Sequence, residues 1–146
     1  MGVSMAIYEW TDRLSVGDET IDRQHKILIS YINSIAETVE QKGGQGTEIA
    51  LLLNNLIMYT KMHFIYEEIL FSRSKYPELE THKQFHKNLV AQVEAFQQRF
   101  KSGDASLGPE LLAFLMDWLN THIMKSDIAY VEFAKSQSPG STKTNN

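Results

Sequence analysis

Every histidine in this 146-residue chain falls on an apolar helical seam. Apolar residues recurring at alternating three- and four-residue steps mark one face of an α-helix, and four such runs can be followed. The first covers 18–41, with seam residues Ile21, His25, Leu28, Ile32, Ile35 and Val39. The second covers 47–72, opened by Thr47 as N-cap, with Ile49, Leu53, Leu56, Thr60, His63, Glu67 and Leu70. The third covers 78–101, with Leu79, His82, His86, Leu89, Val93, Phe96 and Phe100, and the fourth covers 109–135, with Leu111, Leu115, Leu119 and His122. Gly43, Gly44 and Gly46 stop the first run, Pro77 precedes the third, and the loop Ser102–Gly108 leads to Pro109 in the first turn of the fourth.

Four amphipathic helices with short connections predict an all-α fold, an antiparallel up-down-up-down four-helix bundle. Residues 1–17 read as an N-terminal arm whose Tyr8, Trp10 and Leu14 pack over one end of the bundle. Residues 1–135 form a single domain on this reading. The polar stretch 136–146, with nothing to bury, reads as a disordered tail.

Burial is what makes the histidines informative. A buried polar group without a partner costs roughly 1–3 kcal/mol, and a bare charge costs more. One core histidine is usually satisfied by backbone, but five in one small core call for something that satisfies them together. A metal ion does so. Glu67 stands four residues after His63, on the same helical face, and His82 and His86 repeat that step on the next helix. Glu68 rotates off the face and reads as solvated. Asp127 follows His122 by five residues, about 140° further round an ideal helix. That spacing fits a surface aspartate, or a ligand brought inward by a local irregularity.

Composition limits the chemistry. The chain has no cysteine, which excludes disulfides, thiolate zinc sites and cysteine-held iron–sulfur clusters, and fits a cytoplasmic location. A net charge of -4 without a basic stripe argues against nucleic acid. The N-terminus lacks the basic start and long apolar run of a signal peptide, and Ala6 stands where a myristoylation motif wants Ser or Thr. No stretch reaches the roughly 18 apolar residues needed for membrane insertion. Five imidazoles and two carboxylates exceed the needs of one ion and suit two octahedral ones. If both carboxylates bridge and one solvent oxygen bridges as well, a single coordination position stays open.

The pattern resembles the hemerythrin family, its bacterial members in particular. The residues carrying the resemblance are His25 in IDRQHK, His63 and Glu67 in HFIYEE, His82 and His86 in HKQFH, and His122 with Asp127 in HIMKSD. Trp10, Val16-Gly17 before Ile21-Asp22, Tyr76-Pro77 and Trp118-Leu119 extend it from about Trp10 to Phe133. The five-residue step to Asp127 is that family's own. The resemblance implies two iron ions with a bridging oxo or hydroxo group. It places His82, His86 and His122 on one iron and His25 and His63 on the other, with Glu67 and Asp127 bridging. It further implies that dioxygen binds reversibly at the two-histidine iron, for storage or delivery and not as an enzyme. Leu119, one turn before His122, is the first candidate lining for an oxygen pocket, followed by Trp118, Ile123 and Phe64, although core packing explains these four equally well.

Other readings use the same residues. The site can sense oxygen, nitric oxide or iron status for a signalling partner, or supply an oxygen-consuming enzyme. It can run peroxidase or oxidase chemistry as a di-iron enzyme, or hold structural zinc. A histidine-rich shell supplies less negative charge than a four-glutamate site, which favours the ferrous pair and therefore carriage.

Overall fold

The computed structural model describes residues 8–42, 47–101 and 107–137. The described residues are helical apart from the arm and the turns: a 3-10 turn Asp12–Leu14, then α1 Glu19–Lys42, α2 Thr47–Arg73, α3 Leu79–Lys101, α4 Leu107–Thr121, a π-helical turn His122–Asp127, and α5 Ile128–Gln137. The fold is the expected antiparallel four-helix bundle. Its fourth arm is α4, the π turn and α5 in direct succession, with Thr121 and Ile128 both in helical conformation at the junctions. Each arm packs on its sequence neighbours, and the ring closes where α1 meets α4.

The seams become the core. Ile21, Leu28, Ile32 and Ile35 of α1, Ile49, Leu53 and Leu56 of α2, and Leu111, Leu115 and Leu119 of α4 lose all contact with solvent. Phe71, and not Leu70, is the buried residue at the end of α2, and Leu79, Phe96 and Phe100 are only partly covered. The fourth helical segment starts two residues before the expected 109 and runs to Gln137, so Ser136 and Gln137 belong to helix and not to the tail. Gly43, Gly44, Gly46, the side chain of Thr47, most of the loop before Gly108 and residues 138–146 lie outside the described residues.

Two local devices fix where the ligand-bearing helices begin and end. Asp18 caps α1: its Oδ1 accepts from the Ile21 amide at 2.9 Å, one of the amides a helix start leaves unpaired. Asp22 reaches back to accept from the Val16 amide at 2.9 Å. At the other end of α2, the Tyr76 amide donates to Phe71 O (3.0 Å) and the Lys75 amide to Ser72 O (3.1 Å). This is the doubly bonded C-terminal cap that needs a left-handed residue, here Lys75 at φ 56°. The Tyr76 and Phe71 rings pack edge-on, centroids 5.5 Å apart, which closes the corner. In the arm, Tyr8 is buried and donates its hydroxyl to Asn120 Oδ1 of α4, while its backbone exchanges two hydrogen bonds with Asn33 of α1.

Candidate metal centre

The seven residues singled out from sequence converge inside the bundle. His25 comes from α1, His63 and Glu67 from successive turns of α2, and His82 and His86 from successive turns of α3. His122 and Asp127 open and close the π turn. His25, His63, Glu67, His122 and Asp127 are fully buried, His82 and His86 nearly so. The π turn explains the five-residue step: its i to i+5 bonding inserts one extra residue into a turn, a bulge often found at functional sites. Asp127 thereby faces inward with His122, their nearest atoms 3.0 Å apart.

Glu67 divides the cluster. Its Oε1 lies 3.1 Å from His86 Nε2 and 3.5 Å from His82 Nε2. Its Oε2 lies 3.2 Å from His63 Nε2 and 3.6 Å from His122 Nε2. Asp127 is shared in the same way, with Oδ2 2.7 Å from His25 Nε2 and Oδ1 3.7 Å from His82 Nε2. Two groups result, each able to hold a cation: His25, His63, Glu67, His122 and Asp127, and Glu67, His82 and His86. The resemblance implies that His122 stands with His82 and His86. Here its Nε2 is 3.0 Å from that of His63, and it joins the His25 side.

The donors fit a metal. His25 Nε2, His82 Nε2, His86 Nε2 and all four carboxylate oxygens of Glu67 and Asp127 are buried without a hydrogen-bond partner. Close approach without hydrogen-bond geometry, in a core this dry, is costly unless a cation takes the lone pairs. Burial alone would raise the Glu67 carboxyl, but His63 and His122 outweigh it and hold the group well below the usual carboxylate range. Burial also pushes the His63 imidazole down, against the pull of Glu67. For His122 burial acts downward too, yet Asp127 and Glu67 overcome it and raise the ring to about 10.

Two residues outside the sequence-derived set orient the rings. His63 Nδ1 faces Gln24 Oε1 at 2.5 Å, and His86 Nδ1 faces Glu68 Oε2 at 2.9 Å. With Nδ1–H donating outward, each ring turns its Nε2 lone pair to the centre, the arrangement a metal-bound histidine needs. Glu68 is thus not simply solvated: it is about a quarter exposed and engaged by His86. The helical seam could not reveal either residue, because both lie one step off the inward face. The usable signal was chemical: an imidazole with Nε2 inward needs an acceptor at Nδ1.

Of the pocket candidates, Phe64, Trp118, Leu119 and Ile123 are all buried. Phe64 stacks on His86 with parallel rings 3.7 Å apart and sits 5.0 Å from the His122 ring. Trp118 lies behind it at 6.4 Å. Leu119 and Ile123 stand on either side of His122 in the sequence as core residues.

The model of the hemerythrin HHE cation binding domain matches residues 16–134. The chain belongs to the hemerythrin family. It is 34% identical over 128 residues to a bacteriohemerythrin of Pseudomonas aeruginosa, covering 88% of this chain and 82% of that protein. It is 32% identical over 127 residues to the bacteriohemerythrin of Methylococcus capsulatus, covering 86% and 95%. A solved hemerythrin carrying a leucine-to-tyrosine substitution superposes with a TM-score of 0.78 at 30% identity, covering 89% of this chain and 98% of that one. No described helix is long and apolar enough to cross a membrane.

Proposed function

We propose that the centre holds two iron ions, joined by an oxo or hydroxo bridge, and binds dioxygen reversibly, for storage or delivery in the cytoplasm. The observation that carries this reading is the Glu67 carboxylate, with one oxygen toward His82 and His86 and the other toward His63 and His122. A carboxylate shared in this way, with Asp127 shared likewise, suits a pair of ions and not one. The names of the relatives support the same reading. When bound, the iron pair supplies the electrons that dioxygen takes up and returns.

The protein's part is to hold and to shield. Gln24 and Glu68 keep the Nε2 lone pairs of His63 and His86 turned inward. Phe64 and Trp118, with Leu119 and Ile123, keep water from the centre. Two histidines on one ion and three on the other would leave the two-histidine ion with room for a small ligand, and the side taken by His122 would decide which ion that is. Five of the seven ligand candidates are imidazoles, and this shell, poor in carboxylates, favours carriage over turnover.

The test is iron loading without air, followed by oxygen addition and purging over several cycles. Two irons per chain and a charge-transfer absorption that appears and disappears with oxygen are expected. Fewer than two irons, or prompt irreversible oxidation, would overturn the proposal.

A further inference from the structure

The outer face of α2 is apolar and open. Leu51, Met58, Met62, Ile65 and Ile69 are each between 45% and 62% exposed, and their spacing of seven, four, three and four places them on one stripe. The opposite face of the same helix carries Ile49, Leu53, Leu56, Phe64 and Phe71 in the core. A helix apolar all round is normally covered all round. The five open side chains present on the order of 500 Å² of apolar surface, as much as the largest patch on a typical monomer. They supply more than half of the roughly 800 Å² that each partner buries in a standard stable interface. Tyr8 ties the arm to α1 and α4, away from this face.

We infer that the stripe pairs with the same stripe of a second copy, antiparallel, about a two-fold axis between positions 63 and 64. The sequence is self-complementary in that register. Asn55 and Ser72 complete the three-four series at its two ends. Antiparallel pairing about this axis sets Met62 against Ile65 of the second copy, Met58 against Ile69, and Asn55 against Ser72. Every apolar side chain in these layers meets an apolar one, and the polar pair meets itself. A polar residue in such a seam fixes register. On the flank, Lys61 and Glu68, seven residues apart, bring opposite charges together across the axis. The exposed pair that Lys61 makes with Glu94 at 3.2 Å is weak enough to yield.

The relief fits as well. The stripe is a ridge between two grooves. One, of about 270 Å³, is lined by Tyr31, Asn55, Met58, Tyr59 and Met62. The other, of about 390 Å³, has Phe64, Ile65, Val90 and Ala91 among its lining. A ridge beside a groove, repeated by two-fold symmetry, is how two helices interlock.

The test is sedimentation velocity of the full metal-loaded chain from micromolar to several hundred micromolar, where a dimer is expected. Met58→Glu and Ile69→Lys should each weaken self-association at least about tenfold, since each buries an unpaired charge against an apolar side chain. Mixing the two variants should restore association, because this register sets the introduced Glu against the introduced Lys. Unchanged helical content and metal load in both variants separates lost pairing from lost folding. A monomer at every concentration, capture by neutral phospholipid vesicles in place of self-association, or no rescue on mixing overturns the inference.

Discussion

At the scale of single residues, the site is a set of proton and lone-pair assignments. Glu68, off the seam by one step, holds His86 in the rotation that presents Nε2. Glu68→Ala should therefore weaken iron binding by roughly 10–100-fold, as loss of an outer partner does. Glu68→Gln, which keeps an acceptor oxygen, should recover most of it, and competition with a chromophoric chelator reads both. Loss of the shared oxygens in Glu67→Ala should abolish two-metal loading. His122, raised to about 10 by Asp127 and Glu67 against the opposing pull of burial, carries a proton at neutral pH in the metal-free chain. Metal can bind its Nε2 only after that proton leaves. Iron uptake should therefore release a proton from this group, and its contribution should raise affinity about tenfold per pH unit up to about 10. Calorimetry in buffers of differing ionisation enthalpy counts the proton. The same raised value stabilises the metal-free fold fully below the unfolded value near 6.5, and that contribution fades as pH rises through about 10. The five histidines and Glu67 were legible because each sits on an apolar seam, whereas Asp127 came from the family resemblance alone. The orienting partners were not, since hydrogen bonding to Nδ1 leaves no periodic trace.

At the scale of elements, the sequence revealed every arm of the bundle and most of its buried face, but not the register inside the fourth. A 3.6-residue period turns Asp127 away from His122, and the pattern contains no sign of the wider turn that brings it back. Local sequence does not show a π turn because the preference is set by what the turn delivers: a carboxylate to the shared centre, in exchange for poorer local hydrogen bonding. Deleting Ser126 should let the segment return to α-helix. Far-UV circular dichroism and iron load should both stay close to the parent, because the resulting four-residue step keeps the aspartate on the face of His122. Loss of iron load at unchanged ellipticity would show that the wider turn itself is needed to deliver the carboxylate. The α2–α3 corner carries the opposite kind of departure. Lys75 holds a left-handed conformation that costs a side-chain-bearing residue about 1 kcal/mol and costs glycine almost nothing. Lys75→Gly should raise the melting temperature by roughly 2–4 °C without changing the site.

At the scale of the whole molecule, the bundle devotes the middle of its core to groups that a core normally excludes. On one side of the centre Leu28, Ile32, Leu53, Leu56, Leu111 and Leu115 pack as in any four-helix protein, and on the other Ile21, Phe71, Tyr76, Tyr130 and Val131 close the bundle. Between them, five imidazoles and two carboxylates crowd together, and the Nε2 atoms of His25, His82 and His86 and all four carboxylate oxygens have no hydrogen-bond partner. Apolar packing at the ends keeps the helices together, so the chain should stay helical when metal is removed. The middle should loosen, because desolvated carboxylates and rings are left with only one another. An ion that binds the folded state alone adds about 2.7 kcal/mol at a hundred times its dissociation constant. For a chain of this size that corresponds to roughly 5–10 °C in melting temperature. Chelation under anaerobic conditions should lower the transition by at least that much while far-UV ellipticity at 20 °C changes little. Restoring ferrous iron should bring the transition back. Manganese or zinc would separate electrostatic relief from iron chemistry: either should recover part of the thermal stability while giving no oxygen-dependent colour. A transition indifferent to complete metal removal would mean that the buried cluster satisfies itself, and that the ions do not contribute to holding the four arms together.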